Sequence, residues 1–127
     1  MCILLVENEF LIRLIVAEEL AESGFEVCEA ESGDQAAALI TETPARFSLL
    51  VTDIHMPGNL NGIELARLMR ARYPGIPVIY MTGRPGVLNA LGPLGTKDAL
   101  VAKPFTPSEL LAVVQRLLAA GDDDPAR

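Results

Sequence analysis

Short apolar runs alternate along this chain with longer stretches whose apolar residues recur at helical spacing. The runs are Cys2 to Val6, about Phe25 to Ala30, Phe47 to Asp53, Ile76 to Thr82 and Ala99 to Ala102, and each is expected to be a strand. Between them, Ile12, Ile15, Val16 and Leu20 mark one helix face, Ala36, Leu39 and Ile40 a second, and Leu65, Leu68 and Met69 a third. Leu110, Val114 and Leu117, flanked by Leu111 and Leu118, mark the last. Punctuation agrees: Ser23-Gly24 ends the first helix, Pro44 follows the second, Tyr73-Pro74-Gly75 closes the third, and Thr106-Pro107 opens the last. Residues 84 to 98 carry Pro85, Gly86, Gly92, Pro93 and Gly95, which leaves room for only a short or distorted fourth helix. Alternation of this kind predicts an α/β fold with a doubly wound, five-stranded parallel sheet and five helices on its two faces. The second run carries Glu26 and Glu29 and suits a sheet edge.

A chain of 127 residues is one domain by length, expected over residues 1–120, with Gly121-Asp122-Asp123-Asp124-Pro125 opening a frayed tail over 121–127. No second folded unit fits, so the expectation is a stand-alone, single-domain protein. The net charge of −7 argues against nucleic acid or an anionic membrane surface as a partner, since both call for basic patches. No apolar run approaches the roughly 20 residues of a membrane span, and no signal peptide precedes the first strand, which points to the cytoplasm. Cys2 and Cys28 both lie in strand-like runs without metal spacing and are expected as buried thiols rather than a disulfide.

Four of the runs stop at a polar residue. Cys2 to Val6 ends at Glu7-Asn8-Glu9, the third run at Asp53, the fourth at Thr82-Gly83 and the fifth at Lys103-Pro104. Parallel strands bring their C-termini to one edge of the sheet, where ligands bind, so these residues are expected to converge. Asp53 is the nucleophile candidate, because a carboxylate there can attack phosphorus when cations hold the transferring oxygens. An acid after a strand also serves as a turn or cap residue. Pro57-Gly58-Asn59 and Asn61-Gly62 then predict a loop over the sheet edge before a helix from about Ile63. Glu7 and Asn8, with Asp53, are the metal candidates, since Mg²⁺ takes oxygen ligands and one or two carboxylates; the alternative makes Asn8 a helix N-cap. Thr82 can donate a hydroxyl hydrogen bond to a phosphoryl oxygen, or simply end its strand. Lys103 offers a point charge suited to phosphate, or a partner for a surface acid. His55, the only histidine, has no metal partners at ligand spacing.

Taken together, Ile3-Leu4-Leu5-Val6-Glu7-Asn8-Glu9, Thr52-Asp53-Ile54-His55-Met56-Pro57-Gly58, Met81-Thr82-Gly83 and Lys103-Pro104-Phe105 resemble the response-regulator receiver domain of two-component signalling, from Ile3 to about Ala119. The resemblance implies a flavodoxin-like fold of strand order 2-1-3-4-5 and phosphorylation of Asp53 by a histidine kinase or histidine phosphotransfer protein. It implies Mg²⁺ held by Glu7, Asn8, Asp53 and the main-chain carbonyl of His55, with Thr82 and Lys103 on the phosphoryl group. A receiver of this kind is a phosphoacceptor that switches affinity for a protein partner, not an enzyme beyond its own phosphorylation and dephosphorylation. Three departures mark an atypical subgroup. Asn8 replaces an aspartate usual at the metal, Leu100 stands where a switch Tyr or Phe is common, and the loop from Met56 to Gly62 is one residue longer than the common form. Without the aromatic, readout is expected from the segment Arg84 to Asp98. The alternative function is a pseudoreceiver, an interaction module independent of phosphorylation. A flavin-binding flavodoxin is excluded because Glu7-Asn8-Glu9 would repel phosphate, and a small phosphatase because His55 stands where a second acid is needed.

Overall fold

Each strand is a short β-branched and aliphatic run, and each helix places its apolar stripe over the pleated surface those runs create. In the computed structural model, which describes residues 2–42, 46–84, 86, 92 and 94–122, the strands are β1 (Cys2–Val6), β2 (Glu26–Ala30), β3 (Phe47–Asp53), β4 (Val78–Thr82) and β5 (Asp98–Ala102). The helices are α1 (Phe10–Glu22), α2 (Gly33–Glu42), α3 (Gly62–Arg72) and α4 (Pro107–Asp122). All pairings are parallel and the strand order is β2-β1-β3-β4-β5. The flavodoxin-like order is therefore the observed one, with β2 at an edge and Glu26 and Glu29 exposed. The expected short helix between residues 84 and 98 falls largely outside the described residues, as does Pro44. Helix α4 runs on through Gly121 and Asp122, and residues 123–127 lie outside the description. No described helix is long and apolar enough to cross a membrane.

Alternation along the strands splits the core in two. Leu4, Val6, Leu50, Val78 and Tyr80 pack under α2 and α3 with Ala36, Ile40, Leu65 and Met69. Ile3, Leu5, Val51, Ile79, Met81 and Val101 pack under α1 and α4 with Val16, Leu20, Leu110 and Val114. Side-chain caps start three of the helices. Asn61 and Glu64 form a reciprocal capping box at α3, Ser32 Oγ accepts from Gln35 N at 3.0 Å before α2, and Thr106 Oγ1 accepts from Glu109 N at 3.1 Å before α4. Helix α1 differs. Its N-cap is Glu9, with no side-chain cap, so the alternative in which Asn8 caps the helix does not hold. Cys2 and Cys28 are free, as expected, but half-buried rather than buried. Burial, then Cys28 and Glu26, push the Cys2 thiol up to about 11.

Candidate functional site

The strand register decides what meets at the C-terminal edge. Val6 pairs with Thr52, Asp53 with Met81, and Thr82 with Ala102, so the residues that follow or end each strand stand level. Glu7 is fully buried, Asp53 and Thr82 nearly so. Lys103 Nζ donates to Glu7 Oε1 at 2.7 Å and to Asp53 Oδ2 at 3.1 Å, bridging two carboxylates from strands 46 residues apart in sequence. The peptide linking Lys103 to Pro104 is cis. Glu7 Oε2 accepts from Glu9 N at 3.1 Å, so both of its oxygens are satisfied and its buried charge is paired.

Burial, followed by the charge of Glu7, raises the Asp53 carboxyl above its ordinary range; Lys103 and the main-chain N–H of His55 pull it back. Burial alone would lower Lys103, but the hydrogen bonds and charges of Glu7 and Asp53 outweigh it and leave the ammonium above its ordinary value. Thr82 Oγ1 accepts from Arg84 N at 3.0 Å and lies 3.4 Å from the Arg84 carbonyl. Asn8 and the His55 side chain are exposed at the rim. The loop after Asp53 closes tightly on the strand: Gly62 N donates to the Ile54 carbonyl at 2.9 Å, and a Cβ at Gly62 would collide with the Asp53 carbonyl.

Mg²⁺ suits this donor set. Two carboxylates repel each other across one ammonium, and a hard cation with oxygen ligands relieves that repulsion while keeping waters of its own. Among the described residues no group of three or more acidic, histidine or cysteine side chains could hold a metal, so any such site here is completed by neutral oxygens.

Two residues of the site escaped the sequence reading. Arg13, the lone cation of an apolar helix start, donates through Nη1 to the Glu7 carbonyl at 2.7 Å and pairs through Nε with Glu29 at 3.4 Å. It ties α1 to the turn that presents Glu7 and Asn8. Thr52 is fully buried and donates to the Asp53 carbonyl at 2.9 Å. Its hydroxyl could have been suspected as a polar group directly before Asp53 in an otherwise largely apolar run.

The family model for the response regulator receiver domain matches residues 3–115. The chain belongs to the response-regulator receiver family. Receivers of this family are phosphoacceptors of two-component systems. Across 98% of its length this receiver is 32% identical to the DNA-binding response regulator MtrA of Mycolicibacterium paratuberculosis, of which it covers 54%. It is 37% identical over 116 residues to the response regulator protein FleR of Pseudomonas aeruginosa, covering 90% of this chain and 24% of that one. Its fold superposes on a response regulator receiver protein from Sinorhizobium medicae with a TM-score of 0.85 at 29% identity, covering 94% of this chain and 95% of the other.

These relatives correct one expectation. The acidic charge led to a forecast of no nucleic-acid partner, yet MtrA is a DNA-binding regulator. The receiver spans about half the length of such relatives. A net charge counts only the residues it sums over, and a nucleic acid can be held by a part of a longer protein outside that count.

Proposed function

We propose that this receiver takes a phosphoryl group from a phosphohistidine, on a histidine kinase or histidine phosphotransfer protein, onto Asp53, and acts in the cytoplasm by changing its affinity for a protein partner. The observation that carries the reading is Lys103 bridging Asp53 and the buried Glu7. In the transfer, an Asp53 carboxylate oxygen forms a bond to phosphorus as the phosphorus–nitrogen bond of the donor breaks, and the departing imidazole takes a proton from solvent. Lys103 stands beside the attacking carboxylate and neutralises the transferring oxygens. Thr82 donates its hydroxyl to one of them after leaving Arg84. Glu7, Asn8, Asp53 and the His55 carbonyl would hold Mg²⁺, which supplies positive charge toward the same oxygens.

The donor has a surface to rest on. A groove of 370 Å³ lined by Ile12, Ile15, Val16, Phe105 and Pro107 begins at Lys103, and Phe10 and Leu11 beside it are 62% and 68% exposed. Apolar area of this kind marks a protein contact.

Intact mass after incubation with acetyl phosphate and Mg²⁺ tests the proposal. A gain of one phosphoryl that is absent in Asp53→Asn is expected; a gain that persists in that variant sinks it. The pseudoreceiver reading draws on Asn8, which brings no charge to the metal position, and a wild-type protein that gains no mass would favour it.

A further inference from the structure

The loop between Asp53 and α3 is fixed at both ends by its own neighbours. Gly62 N donates back to the Ile54 carbonyl at 2.9 Å, and Asn61 and Glu64 close the capping box. The residues between them, Met56 to Leu60, make one hydrogen bond to another element among the described residues: Asn59 N donates to Asp34 Oδ2, on α2, at 3.3 Å. Two glycines let the elements come this close. A Cβ at Gly33, the first residue of α2, would collide with the Leu60 carbonyl, and one at Gly58 would stand 3.0 Å from the same Asp34 oxygen. Gly58 also takes a φ of +104°, which other residues rarely adopt. Asp34 is exposed, so its carboxylate accepts the bond at little cost in lost hydration.

We propose that Asp34 is a positioning residue for the phosphoacceptor site: from α2 its carboxylate holds the middle of the loop that follows Asp53, and so fixes the main chain of His55 beside the nucleophile. What His55 offers the site belongs to its backbone. Its N–H donates to the Asp53 carboxylate, and its carbonyl is a metal ligand in the reading above, on which the effect on phosphorylation rests. Between His55 and Asn59, Met56 packs on the core under α2 and α3 and Pro57 has its φ fixed, so a displacement at Asn59 is passed back along the loop rather than absorbed within it. Without the bond to Asp34, the loop would have to be ordered at the moment Mg²⁺ binds, and that cost would appear as lost affinity. Asp34 also stands in the first turn of α2, where a carboxylate favours the helix dipole. That second role acts on the stability of the fold and leaves His55 where it is.

Asp34→Ala and Asp34→Asn separate the two roles, because the amide keeps an acceptor oxygen in place while giving up the charge. In the full chain without Mg²⁺, amide hydrogen exchange at His55 and Asn59 is expected to be about fivefold faster in Asp34→Ala, with Asp34→Asn close to wild type at both. Titration calorimetry with Mg²⁺ alone should show about threefold weaker binding in Asp34→Ala, largely restored in Asp34→Asn. Phosphorylation by acetyl phosphate and Mg²⁺, followed by intact mass, should slow by a similar factor. Wild-type exchange at His55, or wild-type Mg²⁺ affinity, in Asp34→Ala overturns the proposal. A loss that Asp34→Asn shares in full also overturns it and assigns Asp34 to the helix dipole. If the wild-type protein gains no phosphoryl group, the phosphoacceptor reading fails by itself, and exchange at His55 with Mg²⁺ affinity still decides what Asp34 positions.

Discussion

The middle of the sheet and its C-terminal edge are equally buried and oppositely built. Leu4, Leu5, Leu50, Val51 and Ile79 are fully enclosed by apolar neighbours, and there burial and the strand ladder stabilise together. Two or three residues further along the same strands, the buried groups are Glu7, Asp53 and Thr82, with Thr52 just before Asp53. At this edge burial works against the charges it encloses. Glu7 and Asp53 repel, and Lys103 alone among the described cations touches both. The contrast shows how one parallel sheet carries a stable body and a strained rim. The rim stores repulsion that an added cation can relieve, and the body is rigid enough to hold it in place.

Changing one side of this contrast at a time should separate the two. The largest effect is expected in the body: Leu50→Ala, at a fully buried position contacted from both neighbouring strands, should lose about 3.5 kcal/mol in urea unfolding. A loss under about 1 kcal/mol would mean that the middle of the sheet is no stiffer than its rim.

Lys103→Met comes next, at about 3 kcal/mol, because it leaves Glu7 charged and enclosed with only the Glu9 N–H as partner. Its pH dependence has a definite sign. Lys103 sits above its ordinary value of 10.5 in the fold, so its contribution is complete below pH 10.5 and fades as pH rises through the folded value. If the wild-type advantage over Met is as large at pH 12 as at pH 7, packing rather than charge holds the rim.

Asn8→Asp adds a third carboxylate to the rim and should tighten Mg²⁺ about tenfold, roughly 1.4 kcal/mol, by titration calorimetry. Equal or weaker binding would place residue 8 away from the metal.

The smallest effect is a gain. Burial and Glu7 raise the Asp53 carboxyl above its ordinary 3.8, so an ionised Asp53 weakens the fold at neutral pH. Asp53→Asn should therefore unfold at higher urea than wild type at pH 7, by about 1 kcal/mol. That advantage should shrink as pH falls through the folded value and disappear below 3.8, where both states carry the proton. A constant difference across this range would show that the gain is not electrostatic.

How much of this was legible beforehand depends on how local each feature is. Strands and helices follow from spacing over a few residues, so the runs ending at Glu7, Asp53, Thr82 and Lys103 and the acidic second strand at the sheet edge could be read from the chain alone. Parallel strands also share an edge by topology, which placed those four residues together without coordinates. The partnerships among them were not legible. Whether Lys103 answers Glu7, Asp53 or a surface acid turns on ångström-scale positions set by four crossovers and by the seating of α1 and α4 on one face. Arg13 reaches the Glu7 carbonyl only because α1 begins at Phe10, one residue later than an Asn8 cap would allow. Asp34 meets Asn59 because the N-terminus of α2 seats on the loop after β3, 25 residues further along the chain, so no short window of the sequence contains that contact. Spacing along the chain determined which residues reach the rim, and packing between elements decided what each one touches, because hydrogen bonds and charges act over a few ångströms that only the folded structure sets.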